Sequence, residues 1–87
     1  MYKFHRKLDG VDFYAPSTRE HKKYDAIVDG KKYSFGDNRY EQYRDKIGYY
    51  HDMNHNDIVR KHMYHKRHWK DELNKYSPGY FSMRYLW

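Results

Sequence analysis

The scarcity of aliphatic side chains constrains this chain more than any other feature of its sequence. Leu, Ile, Val and Phe together number 13 of 87 residues, and the formal net charge is +6, a combination that is typical of chains that bury too little apolar surface to fold unaided. The twelve Tyr, four Phe and two Trp favour folding instead, because each ring can bury roughly 150–250 Å². The composition therefore predicts one small domain with a thin core of rings, which completes its burial against a partner or, as a homo-oligomer, against its own copies.

Cysteine is absent, so neither disulfides nor thiolate metal sites can supplement the thin core. No apolar run approaches the roughly 18–20 residues of a membrane span. The opening sequence MYKFHRK also lacks the apolar stretch of a secretory signal. We expect a soluble protein that is neither secreted nor membrane-spanning.

The clearest local pattern is a β-hairpin over residues 24–35. Asp29-Gly30 suits the positive φ angles of a tight type I′ turn. Strand alternation then places one set of apolar residues on a common face across the hairpin, namely Tyr24, Ala26, Val28, Tyr33 and Phe35. A shorter alternating run at 11–14 predicts an edge strand. We assign residues 1–13 to an N-terminal extension and residues 14–87 to the single domain.

Two helices are predicted after the hairpin. Asn54 is expected to cap a helix over residues 56–70, with Asp57 in its first turn. The helical spacing predicts that an inward face is formed by Ile58, Val59, His62, Met63, His65 and Trp69. Ser77-Pro78-Gly79 indicates the start of a short aromatic helix, whose end we expect to dock on the hairpin or on a neighbour. The predicted fold class is thus α+β: a β-hairpin or short antiparallel sheet, a basic helix and a short C-terminal aromatic helix.

Basic residues concentrate on the first of these helices. Arg60, Tyr64 and Arg67 at i, i+4 and i+7 form an outward stripe, where guanidinium groups can hold phosphates and a Tyr can stack. The candidate anion-binding residues are Arg60, Lys61, Tyr64, Arg67 and Lys70, together with Lys31 and Lys32 beside the hairpin turn. The candidate docking residues are Tyr80, Tyr85 and Trp87. The same basic residues are also explained by a helix face that is simply exposed to solvent, or by one that binds acidic protein surfaces.

Catalysis finds little support in the sequence. Five histidines fall within residues 51–68, and His51, His55 and His62 suggest a metal-dependent nuclease, but their spacing matches no established ligand pattern. A polar cap followed by a helix with packed histidines explains the same residues. No Ser or Thr lies in a nucleophile-elbow context, and the five glycines form no phosphate-binding loop. We therefore expect a protein that is not an enzyme and that holds neither a metal nor a cofactor.

A succession of short sequences carries a resemblance over about residues 14–87. These are Pro16-Ser17, Lys22-Lys23-Tyr24, Gly30-Lys31-Lys32, Phe35-Gly36-Asp37, Tyr40, Tyr43, Asn56-Asp57, Arg60-Lys61, Tyr64, Arg67-His68 and the ending SPGYFSMRYLW. Their order resembles a family of small, uncharacterised basic proteins encoded by giant (nucleocytoplasmic large) DNA viruses. The resemblance implies a virus-encoded protein that lies beneath a capsid shell or accompanies the genome, and it assigns no activity to any residue.

Three functions remain open at this point. The leading interpretation is a non-enzymatic, virion-associated structural protein, a minor capsid or cement protein or a genome-associated one, that binds capsid partners, nucleic acid or both. The alternative is a free nucleic-acid-binding protein that regulates or protects viral DNA or RNA. A metal-dependent nuclease is a distant third. The expected location is the virion or the host cytoplasm or nucleus.

Overall fold

The computed structural model describes residues 3–87, which form a four-stranded antiparallel sheet followed by two helices. The strands are β1 (Lys3–Leu8), β2 (Val11–Ala15), β3 (Lys22–Val28) and β4 (Lys31–Asp37), and they lie side by side in that order. The helices are α1 (Ile58–His68) and α2 (Pro78–Tyr85), with 3₁₀ turns at His51–Met53 and Trp69–Leu73. The predicted α+β class is confirmed. No helix within residues 3–87 is long and apolar enough to span a bilayer.

Two Asp-Gly turns set the register of the sheet. Asp29 and Gly30 have φ angles of 50° and 77°, and the β3–β4 pairing places Tyr24 opposite Phe35. The predicted hairpin is therefore confirmed, and its positive φ angles suit a glycine at the second position. Asp9-Gly10 repeats the same arrangement between β1 and β2.

The N-terminal strands differ from expectation. The edge position predicted for residues 11–14 is wrong, because β2 pairs with β1 on one side and with β3 on the other. Of the predicted N-terminal extension 1–13, residues 3–13 contain β1 and the first part of β2 in the same sheet, and residues 1 and 2 lie outside the described residues. Val11 and Phe13 are buried, whereas β1 is exposed along nearly its whole length and forms the outer edge.

The core consists largely of aromatic rings gathered around Phe13. Its ring centroid lies 4.8 Å from that of Tyr85, 6.0 Å from Phe35 and 6.2 Å from Phe81, all in edge-on geometry. Such edge-to-face pairs add to the stabilisation that burial alone provides. Because Phe81 and Tyr85 belong to α2, the C-terminal helix docks on the sheet. Of the two predicted sites for this helix, the hairpin and a neighbouring molecule, the structure shows the first.

The N-terminal caps of the two helices are an acid and a hydroxyl. Ser77 accepts a hydrogen bond from the amide of Tyr80 with Pro78 in the first turn, as predicted. For α1 the predicted cap is wrong: Asp57, not Asn54, accepts from the amides of Val59 and Arg60. The Oδ1 atom of Asn54 instead accepts from Nε2 of Gln42 and from the amide of Asp45, and α1 begins at Ile58.

Helix α1 turns a different face inward from the one predicted, of which only His65 is half-buried. The expected inward residues Ile58, Val59, Met63 and Trp69 are 49–62% exposed, and α1 contains no buried residue. The half-buried face is formed by Tyr64, His65 and other polar side chains. The prediction failed because helical spacing identifies a stripe but not the side on which the molecule lies, and aromatic stacking on Tyr64 decides that side here.

Removal of the central ring should affect stability far more than removal of a peripheral one. Phe13→Ala is expected to lower the free energy of unfolding by about 3–5 kcal/mol, since it deletes the ring that joins β2, β4 and α2. Phe4→Ala on β1, where the ring is 53% exposed, should cost less than about 1 kcal/mol. Urea denaturation followed by circular dichroism measures both. Equal losses in the two variants would contradict the core described here.

Candidate functional site

A cleft of about 460 Å³ lies between the sheet, the segment that follows it, α1 and the C-terminal end of α2. Its walls combine cations, carboxylates and rings drawn from residues 23 to 87. The lining residues are Lys23, Gly36, Asp37, Tyr40, Glu41, Arg60, Met63, Tyr64, Arg67, Ser82, Leu86 and Trp87. The volume falls within the range typical of small-molecule sites. Hereafter this space is called the cleft.

Lys23 of β3 is the most buried cation of the cleft, with 2% of the residue exposed. Its Nζ donates to the main-chain oxygen of Tyr40 at 2.8 Å and to Oε1 of Gln42. Burial lowers the pKa of this amine from 10.5 to about 8, against the opposing attraction of Asp45 and Asp37. Lys23 therefore remains mostly protonated at neutral pH and brings a desolvated positive charge to the cleft.

Gly36 closes the base of the cleft beside Lys23. A Cβ at this position would lie 2.9 Å from Cδ1 of Leu86 and 3.2 Å from the Lys23 stem. Its φ angle of +76° also disfavours any other residue. The glycine thus lets the C-terminal Leu86 approach β4 directly.

The aromatic wall of the cleft is a stack that also anchors α1. The rings of Tyr64 and Trp87 are nearly parallel, at 3°, with centroids 4.2 Å apart, and His68 stacks on Tyr64 at 4.3 Å. His65 donates from Nε2 to the main-chain oxygen of Trp87 at 2.8 Å. Burial raises the pKa of the Tyr64 phenol, so this ring is neutral across the physiological range.

The rim of the cleft carries exposed cations and one exposed ring. Arg60 donates from Nη1 to Oε1 of Glu41 at 3.1 Å. Asp37 is bound by Arg39, whose guanidinium holds the pKa of that carboxyl well below its usual range. Arg67 forms no ion pair within residues 3–87, and the Tyr40 ring is 66% exposed. Both carboxylates already face an arginine, so an anion entering the cleft meets a net positive field.

Four of the predicted site residues meet in this one place. Arg60, Tyr64 and Arg67, expected as an anion-binding stripe, line the cleft together with Trp87, expected as a docking residue. Trp87 packs inside the chain, against Tyr64 and against His55 at 5.2 Å.

The other predicted binding residues lie elsewhere. Lys61 places its Nζ 4.7 Å from the Tyr43 ring centroid, and Lys70 lies over Trp69. Lys31 and Lys32 flank the hairpin turn, where Lys32 donates to the hydroxyl of Thr18. These four lysines do not join the cleft.

Of the predicted docking rings, two belong to the packing of α2. Tyr85 is 3% exposed and donates to Oδ2 of Asp9 at 2.8 Å, and burial raises the pKa of its phenol to about 12. Tyr80 is half-buried, with its ring against those of Tyr76 and Phe81. Both rings therefore serve the domain itself in this conformation.

The three histidines of the nuclease hypothesis do not converge. His51 lies 2.9 Å from the Gly48 oxygen through Nδ1, His55 packs beside Trp87, and His62 is exposed on α1. Within residues 3–87 no three His, Asp or Glu side chains lie close enough together to hold a metal ion.

Sequence reasoning missed Lys23, Tyr40 and Glu41 as parts of the site. The alternation of β3 offered one signal, since it places Lys23 on the face opposite Tyr24. Nothing local to Tyr40 or Glu41 indicated a site, because their role depends on contacts with residues roughly twenty or more positions away.

Comparison with known proteins adds no relative: no family model, no curated protein and no solved structure matches this chain. The resemblance to proteins of giant DNA viruses therefore stays a prediction.

Lys23 should give stability a distinctive pH dependence. Between about pH 8 and 10.5 the folded state binds fewer protons at this amine than the unfolded chain does, so raising the pH across that range stabilises the fold. Relative to Lys23→Met, the wild-type protein should gain about 1 kcal/mol of unfolding free energy per pH unit there. Urea denaturation at pH 7 to 10 measures the difference. The free energy of unfolding of the exposed Lys31→Met variant should change with pH as that of the wild type does. The same pH dependence in Lys23→Met and wild type would contradict the burial of a charged amine.

Proposed function

We propose that this chain is a non-enzymatic protein that binds single-stranded nucleic acid in the cleft. The observation that carries the proposal is the meeting of Arg60 and Arg67 with the buried cation Lys23 and the exposed ring of Tyr40. Guanidinium groups hold phosphate oxygens with paired hydrogen bonds, and an exposed aromatic face stacks an unpaired base whatever its sequence. The two kinds of group occur here within one concave space.

The size of the cleft favours an unpaired strand over a duplex. A space of about 460 Å³ admits a single nucleotide, whereas a duplex offers only its phosphate backbone to a site of this width. The acids do not preclude such binding, because Glu41 and Asp37 are each already paired with an arginine. Base stacking on Tyr40 and phosphate contact with Arg67 would then operate together.

A genome-associated role in a virion is the setting we propose for this activity. This role is consistent with both the expected viral origin and the cationic cleft. Capsid proteins would be further partners of the same molecule. A free protein that protects or regulates viral nucleic acid would use the same cleft. Mass spectrometry of purified particles distinguishes the two, since only the first places the protein in the virion.

Binding should depend on the cleft and on salt. A fluorescein-labelled single-stranded oligonucleotide, followed by anisotropy, should bind at about 50 mM salt and weaken markedly by about 200 mM as counterions are released. Arg67→Gln and Tyr40→Ala should each weaken binding by about five- to tenfold, through loss of a phosphate contact and of a stacking face.

The matched control is Lys31→Gln, which removes one positive charge from the hairpin turn, away from the cleft. It should change affinity less than about twofold, as expected for a distant surface charge. Equal weakening by Lys31→Gln and Arg67→Gln would mean diffuse attraction and would overturn the assignment to the cleft. Cleavage of the oligonucleotide in buffer containing Mg²⁺ or Zn²⁺ would overturn the non-enzymatic part of the proposal.

A further inference from the structure

The outward side of α1 and its 3₁₀ extension is an apolar surface that the rest of the chain leaves uncovered. Ile58, Val59 and Trp69 are 49–62% exposed, and Leu73 is 75% exposed. Helices on protein surfaces normally turn such residues inward, yet α1 meets the domain through Tyr64, His65 and His68. Contiguous exposed apolar surface of this kind marks interaction sites.

Two lysines lie within this apolar surface and not at its border. Lys66 follows Val59 at i+7, on the same side of α1, and Lys70 lies beside Trp69 in the 3₁₀ turn that follows. Neither lysine forms an ion pair within residues 3–87, and the Lys70 ammonium lies 5.6 Å from the centroid of the Trp69 ring. We define the outer face as Ile58, Val59, His62, Lys66, Trp69 and Lys70.

The mixture of lysines and apolar residues argues against three other occupants. In a symmetric dimer the outer face would meet its own copy, which brings Lys66 and Lys70 against the same cations. Helices that lie in a bilayer surface keep lysines on the polar side, away from the row that enters the acyl chains. Nucleic acid would satisfy the lysines but leave Ile58 and Val59 against phosphates.

An acidic amphipathic helix satisfies both kinds of residue. Its apolar side chains at i, i+3, i+4 and i+7 can pack between the rows of Ile58, Val59 and Trp69. Carboxylates along the same helix can pair with Lys66 and Lys70, which gives the contact its charge complementarity. The 11 residues of α1 provide a ridge of roughly 16 Å for such packing, and the 3₁₀ turn Trp69–Leu73 follows it.

We propose that the outer face of α1 docks an acidic amphipathic helix of a partner protein. This inference is independent of nucleic-acid binding, because none of the six outer-face residues lines the cleft. It also gives the expected protein partners a docking surface that the predicted residues Tyr80 and Tyr85, packed within the domain, do not offer.

A designed peptide tests the proposal directly. The probe is a fluorescein-labelled peptide of about 18 residues, since shorter isolated helices are marginal in water, with leucines at helical spacing and flanking glutamates. Two control peptides have lysine in place of each glutamate, or the same residues in scrambled order. The acidic peptide should bind saturably below about 1 mM, and both controls should bind at least tenfold more weakly.

Exposed substitutions on the protein then locate the binding. Val59→Ser and Lys66→Glu should each weaken the acidic peptide about fivefold or more, and Lys66→Glu should strengthen the lysine-substituted peptide. Lys31→Glu makes the same charge change at the hairpin turn and should have less than a twofold effect on either peptide. Circular dichroism should be unchanged in all three variants because the replaced side chains are exposed.

Several outcomes would overturn this assignment. They include no saturable binding of the acidic peptide, equal binding of the scrambled one, and insensitivity to Val59→Ser. Self-association in sedimentation that Val59→Ser abolishes would identify a second copy as the occupant. Binding to phosphatidylserine vesicles that the same variant abolishes would identify a lipid surface. Loss of oligonucleotide binding in Lys66→Glu equal to that in Arg67→Gln would assign the face to nucleic acid.

Discussion

The packing of rings around Phe13 is the interaction on which the rest of the structure depends. It joins β2 to β4 through Phe35 and to α2 through Phe81 and Tyr85. Because a ring buries more area than an aliphatic side chain, three such contacts centre a core in a chain with few Leu, Ile or Val. The position of α2 on the sheet then fixes Leu86 and Trp87, and through Trp87 it fixes α1.

Buried polar groups hold the segments that the ring cluster does not reach. Asp45 accepts from the Tyr24 hydroxyl and from the amides of Ile47 and Tyr50, so one carboxylate orders the whole turn after residue 44. Asp25 likewise holds the loop before β3, because it accepts from the hydroxyl of Thr18 in that loop and from the hydroxyl of Ser34 in β4. Such networks stabilise only when every member is satisfied. They therefore specify one path for a connector that contains little regular structure.

Local chemistry explains which parts of this fold the sequence predicts. The Asp29-Gly30 turn and the Ser77 cap each act within four residues, and both are where the pattern placed them. The orientation of α1 and the cleft depend on contacts such as Arg60 with Glu41 or Tyr64 with Trp87, which join positions about twenty residues apart. Periodicity carries no information about such contacts. Arg60, Tyr64 and Arg67 nevertheless line the cleft together, since residues on one side of a helix stay together wherever the helix docks.

The orientation of α1 accounts for both candidate surfaces at once. Helix α2 covers the sheet beside β4, and α1 packs beside it with the ring of Tyr64 stacked on that of Trp87. A polar-aromatic side chain, Tyr64, matches it better than the branched Ile58 and Val59 would. The arginines beside Tyr64 are thereby held over Lys23, and the aliphatic residues are turned to solvent. The core thus holds even fewer aliphatic side chains than the composition suggests, because Ile58, Val59 and Leu73 lie outside it and are exposed.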